Sequence, residues 1–278
     1  MSDASKPIGV FDSGIGGLTV LKALGAEIPG ETFIYLGDTA RLPYGTKSAE
    51  TVSRYSVQAA EKLASLGVKA LVVACNTASA IGLPAIREKL SGIPVIGVIE
   101  PGADAACRVS RSGHIAVIAT EATVRGGAYQ EAIQRRRADA KVSARAAQVF
   151  VALAEEGMHE GPIAEAVAHH YLDTIFDPPG ATPGISTAPD TLVLGCTHFP
   201  MLAGAIRAAV GSSVRIVDSA ATTAKSVREQ LAGARLLGGT GRTMVRFLAT
   251  DGPERFARVG TRFLGQTLLA ENVELVDL

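Results

Sequence analysis

Short apolar runs alternate along the whole chain with longer segments whose apolar residues recur every three or four positions. Strands are predicted at IGVF (8–11), FIYLG (33–37), ALVVAC (70–75) and PVIGVI (94–99). Further strands are predicted at IAVIAT (115–120), VSARAAQVFV (142–151), TLVLGC (191–196) and VRIVDS (214–219). Between them, segments such as AETVSRYSVQAAEKLASLG (49–67) carry the helical period and end at a glycine. Strands that are apolar throughout, rather than at alternate positions, belong to sheets covered on both faces. The pattern therefore predicts an α/β fold with mostly parallel sheets.

The pattern also repeats. IGVFDSGIGGLTVLKAL at 8–24 parallels IAVIATEATVRGGAYQEAI at 115–133, the strand ending in Cys75 parallels the one ending in Cys196, and GVIEPGA parallels IVDSAAT. The three offsets are about 110 to 120 residues, which predicts two similar α/β halves. The stretch FDPPGATPGISTAPD at 176–190 reads as a loop inside the second half, not as a boundary between halves.

In open parallel sheets ligands bind beyond the carboxyl ends of the strands. The residues at those ends are Asp12-Ser13, Asp38-Thr39, Cys75-Asn76-Thr77, Glu100, Thr120 with Thr123, and Cys196-Thr197-His198. Side-chain donors such as Asn76, Thr77 and Thr197, beside the free N–H groups of a helix start, suit a carboxylate. A cysteine there gains thiolate character from the same amides, which predicts a usable base near neutral pH. Two such cysteines on opposite sides of one pocket can remove a proton from a carbon and deliver one to its other face, inverting a stereocentre.

Composition narrows the field. The chain has 278 residues, 47% hydrophobic and 19% charged, with 27 basic against 27 acidic residues. That balance gives no overall field to draw in nucleic acid or an anionic membrane, and RRR at 135–137 reads as a solvated helix face. The start, MSDASKPIGVFD, has no basic-then-apolar leader pattern, and no apolar run approaches the ~20 residues of a membrane span. Three cysteines argue for a reducing compartment, so a cytoplasmic protein is expected.

The motifs FDSGIGGLTVL, YLGDTARLPYG, VVACNTASA, GVIEPGA and LGCTHFPML, in this order, resemble those of the glutamate racemases within the aspartate/glutamate racemase superfamily. TDGPERFARVGTRFLG at 250–265 is similar to that family's C-terminal segment. The resemblance implies two pseudo-twofold-related α/β domains with the active site between them: residues 1–98 plus 219–278, carrying Cys75, and 99–218, carrying Cys196. It implies cofactor-independent, two-base interconversion of L- and D-glutamate for peptidoglycan, by an enzyme that forms homodimers. Cys75 would act on the D-enantiomer and Cys196 on the L-enantiomer. Asp12 matches the acid assisting the first cysteine, His198 the histidine assisting the second, and Glu155 a further assisting carboxylate, with Glu156 as its alternative. Substrate contacts carry over to Asp12, Ser13, Tyr44, Gly45, Asn76, Thr77, Thr120, Thr123 and Thr197. The chain departs from the family at Ala147-Gln148 and Ala152, where Cys-Pro and proline are common, and at Ala119, where glycine is. A racemase of aspartate or another acidic amino acid is the neighbouring alternative. A regulatory protein of the kind that inhibits DNA gyrase is the alternative of another class.

Other motifs lead elsewhere. DSGIGG fits only the first two glycines of a dinucleotide fingerprint, with Thr19 at the third. Cys196 and His198 lack a C-x-x-C pair or a second histidine at ligand spacing, so no metal is expected. His169-His170 and Cys107 read as helix residues. Asp38 either orders the loop carrying Tyr44 or caps the turn after it, with Arg41 as its ion partner.

Overall fold

The computed structural model describes residues 3–177, 188–239 and 241–278. Its strands are β1 (Ile8–Asp12), β2 (Thr32–Gly37), β3 (Ala70–Val73), β4 (Val95–Gly97), β5 (His114–Ala119), β6 (Lys141–Ala146), β7 (Thr191–Gly195), β8 (Arg215–Asp218), β9 (Met244–Ala249) and β10 (Val273–Leu275). The helices of the first half are α1 (Leu18–Glu27), α2 (Ala49–Ser65), α3 (Asn76–Ile81) and α4 (Leu83–Lys89). Then follow α5 (Ile99–Val109), α6 (Glu121–Arg125), α7 (Ala128–Arg136), α8 (Val149–Glu156), α9 (Pro162–Phe176), α10 (Ala203–Val210), α11 (Ser219–Gly233) and α12 (Pro253–Leu264).

Among the described residues two sheets result, and every pairing between their strands is parallel. The first has the order β10-β9-β2-β1-β3-β4 and the second β6-β5-β7-β8. The inner run β2-β1-β3-β4 and the second sheet share one order, so the chain winds the same four-strand unit twice. This is the structural counterpart of the sequence repeat. Strands β1, β3 and β7 are buried at every residue, as their unbroken apolar runs demand. One apolar cluster passes from Val10 and Tyr35 in the first sheet to Ile118 and Leu194 in the second, while separate clusters fill the far face of each. No helix among the described residues is long and apolar enough to cross a membrane.

Three stretches differ from the sequence pattern. VSARAAQVFV, read as one strand, is β6 followed by α8: Phe150, Leu153 and Ala154 recur at helical spacing and bury one side of that helix. Strands β9 and β10 lack the unbroken apolar run of the inner strands: Arg246 interrupts β9 and Glu274 sits mid-way in β10. β9 is exposed or half-buried over its first three residues, and β10 is three residues long. Of the predicted loop at 176–190, residues 178–187 lie outside the described residues.

Candidate active site

In each sheet the chain winds outward in both directions from the first strand of the unit, β1 or β5. The helix connections therefore diverge between that strand and the third, β3 or β7. A crevice opens at such a switch point, beyond the carboxyl ends. Asp12 and Ser13 follow β1, and Cys75, Asn76 and Thr77 follow β3. Thr120 follows β5, and Cys196, Thr197 and His198 follow β7. The two crevices face one another. A small cleft is lined by Ser13, Tyr44, Gly45, Cys75, Asn76, Thr77, Thr120, Glu155, Cys196, Thr197 and His198, and also by Gln148 and Val151.

On the first side, Cys75 is the N-cap of α3, where its sulfur accepts the Ala78 N–H at 3.4 Å and donates to Ser13 Oγ at 3.3 Å. Burial pushes the Cys75 thiol up to about 12. The Asp12 carboxylate adds to this, and the Ser13 hydroxyl and Ala78 N–H only partly oppose it. The thiolate expected from the helix start alone is therefore overturned at Cys75. Asp12 is itself buried, and its carboxyl is raised by that burial against the opposing charge of His198 and the N–H groups of Gly14 and Gly17. Asp12 Oδ2 accepts the Gly14 N–H at 2.9 Å, while Oδ1 has no protein partner.

The second side carries the opposite setting. His198 Nδ1 lies 3.7 Å from the Cys196 sulfur, and Nε2 lies 3.0 Å from Glu155 Oε1. Burial opposes a charge on the ring, but hydrogen bonds and charge from Cys196 and Glu155 prevail and push His198 up to about 10. An imidazolium with both N–H groups engaged is thus held between a sulfur and a carboxylate. Burial would raise Glu155. The His198 hydrogen bond and charge, then those of Arg255, outweigh it and hold Glu155 below its ordinary value. Glu156, the alternative from sequence, is exposed. The site thus pairs a protonated thiol at Cys75 with an imidazolium-backed sulfur at Cys196.

Hydroxyls and amides tie the two sides together. Thr77, Thr120 and Thr123 form a triangle of hydroxyl contacts at 2.9, 3.2 and 2.9 Å, joining α3 to α6. Thr123 stands behind the cleft wall, supporting the other two. Gly45 meets the second half so closely that a Cβ would lie 2.8 Å from Thr120 Cβ and 3.2 Å from Gln148 Oε1. The Tyr44 hydroxyl is spent on Asp38 Oδ2 at 2.5 Å, so Tyr44 offers the cleft its ring and main chain. Asp38 also accepts from Arg41 Nε at 2.7 Å and from the Thr250 hydroxyl at 3.0 Å, and caps no turn. Its role is to hold the Tyr44 loop. Asn76 presents an unpartnered Nδ2 because Tyr129 donates to its Oδ1 at 2.8 Å. Neither Tyr129 nor Gln148 carries a strand-end signal. Tyr129 sits inside α7, and Gln148 lies in the stretch that reads as strand from sequence.

Residues 16–227 match the family described as Asp/Glu/Hydantoin racemase. The chain belongs to that family. Among its relatives is the glutamate racemase of Geobacter metallireducens, 49% identical over 264 residues that cover 95% of this chain and 94% of the relative. The crystal structure of glutamate racemase from Francisella tularensis in complex with D-glutamate superposes with a TM-score of 0.89 at 37% identity, covering 99% of this chain and 98% of that one. The Thermus thermophilus glutamate racemase in complex with β-chloro-D-alanine does so with a TM-score of 0.86 at 44% identity, covering 100% and 99%. Family membership makes the protein an amino-acid racemase with the two-domain racemase fold.

Proposed function

We propose that the protein is a glutamate racemase working without a cofactor, through two cysteines on opposite faces of Cα. Its domains are residues 1–98 with 219–278, and 99–218. The supporting observation is the pair of sulfurs on one cleft, carried by equivalent strands, one beside Ser13 and the Ala78 N–H and the other beside the His198 ring. Asp12 Oδ1 takes the substrate ammonium group. The donors of Asn76, Thr77, Thr120 and Thr197 take the carboxylates, and Ser13, Tyr44 and Gly45 close the wall. The hard step is a carbanion beside a carboxylate, and fixed donors in a water-poor cleft supply most of the help.

In the L-to-D direction the reaction starts with Cys196 as the thiolate and Cys75 as the thiol. The Cys196 thiolate removes the Cα proton and becomes a thiol. The Cys75 thiol gives its proton to the opposite face and becomes a thiolate. D-glutamate leaves, and the sulfurs return to their starting states by exchange with water through Asp12 and His198. The reverse reaction runs from the other state. We place this activity in the cytoplasm, in a homodimer, as the source of D-glutamate for peptidoglycan. Purified protein incubated with L-glutamate or L-aspartate, without pyridoxal phosphate, and followed by circular dichroism tests the reading. Loss of ellipticity with L-glutamate is expected. Decay only with L-aspartate would assign the substrate differently, and decay with neither would refute the reading.

A further inference from the structure

The C-terminal segment at 250–265 has no role in the chemistry above, yet it reaches the site. Helix α12 belongs with the first sheet and α8 with the second, and three side chains of α12 converge on the end of α8 and the loop after β7. Arg255 Nη2 donates to Glu155 Oε2 at 2.8 Å. Arg262 Nη1 donates to the Glu155 carbonyl at 3.1 Å, in space left open by Gly157, where a Cβ would meet that guanidinium at 2.8 Å. The Phe263 ring stands edge-on to the His198 ring, with centroids 5.3 Å apart. Glu155 is therefore held at both oxygens: one by the histidine behind Cys196, the other by an arginine from the opposite half.

We infer that Arg255 is a positioning residue for the proton transfer at Cys196, acting through Glu155 and His198 from across the cleft. An isolated surface ion pair contributes little. Glu155, however, is only 13% exposed, and its second oxygen is committed to His198, so its orientation is the orientation of the imidazolium. The single hydrogen bond from His198 leaves the carboxylate free to rotate toward water; the second, charge-assisted bond from Arg255 fixes it. Because Arg255 arrives from the other half, this fixing depends on the contact between the two halves.

The inference rests on the two-cysteine reading above and adds to it a direction. Free enantiomers have equal energy, so any variant must lower kcat/KM equally in both directions. What can change is which of the two proton transfers is slow. Arg255→Gln is expected to lower kcat/KM on the order of tenfold, the weight of one charge-assisted hydrogen bond. The primary deuterium isotope effect on kcat/KM should rise with Cα-deuterated L-glutamate, whose bond breaks at Cys196, and fall toward one with Cα-deuterated D-glutamate. Arg255→Lys, which keeps the charge and a donor, should restore both values toward wild type. The low-field Nε2–H resonance of His198 in proton NMR gives a readout independent of turnover: present in wild type and Arg255→Lys, lost in Arg255→Gln. Isotope effects that stay put or move together, or a His198 resonance untouched by Arg255→Gln, would overturn the inference. A wild-type enzyme that leaves glutamate unchanged while the resonance still responds would overturn the substrate reading alone.

Discussion

Replacing Tyr129 by phenylalanine removes one oxygen from a place where nothing else can move. Its ring is wedged between helix and strand: a Cβ at Gly102 would lie 3.3 Å from it and one at Gly195 2.9 Å. The ring is fully buried, and its hydroxyl donates to Asn76 Oδ1 at 2.8 Å. The phenylalanine ring therefore stays put while Asn76 loses the contact that turns its Nδ2 toward the cleft. A buried acceptor left without its donor costs about 1–3 kcal/mol. If that cost must be met each time the freed amide is oriented against a substrate carboxylate, kcat/KM falls by about 5- to 150-fold, since ~1.4 kcal/mol is tenfold. The melting temperature should drop by several degrees from the same unpaired group. The assay is racemisation by circular dichroism for wild type, Tyr129→Phe, Asn76→Ala and the double variant. The hydroxyl acts through Asn76, so Tyr129→Phe should cost almost nothing further once Asn76 is alanine. Full additivity of the two losses, or an unimpaired Tyr129→Phe enzyme, would refute the orienting role.

Cys75→Ser and Cys196→Ser should each reduce racemisation by about 10²- to 10⁴-fold, the range for loss of one positioned acid or base, with far-ultraviolet circular dichroism unchanged. Gly16→Ala places a methyl against the Thr197 hydroxyl and the His198 ring; kcat/KM should fall while each sheet keeps its hydrogen-exchange protection. In pH profiles, kcat/KM for L-glutamate should decline as pH rises through about 10, where His198 loses its proton. Glu155→Gln should move that decline to lower pH, since it removes a hydrogen bond and a charge that hold the proton. Because the folded-state value lies above the ordinary 6.5, the stability contributed by charged His198 is complete below about 6.5 and lost through about 10. Urea midpoints should follow that course in wild type and flatten in Glu155→Gln.

The α/β class and the doubled unit were legible because buried parallel strands must be apolar at every position, as β1, β3 and β7 are. The strand-end rule then pointed to Asp12, Cys75, Thr120 and Cys196 without any contact being known. It could not reach side chains that enter the site from within helices, such as Tyr129 in α7 and Arg255 in α12, since nothing local separates them from other helical residues. It also misjudged the charge state of Cys75. Helix amides are visible in the sequence as a strand-to-helix step. The burial and the neighbouring Asp12 carboxylate that outweigh them exist only after folding. Edge strands such as β10, short and mostly exposed, leave little apolar pattern to detect.

The most direct test of two sulfurs working from opposite faces is the partition of solvent deuterium during the first few per cent of turnover in heavy water. Starting from L-glutamate, the D-glutamate formed should carry deuterium at Cα from the outset while the remaining L-glutamate keeps its protium, and the reverse should hold starting from D-glutamate. Equal early deuteration of both enantiomers, or protium carried over into the product, would mean that a single base serves both faces.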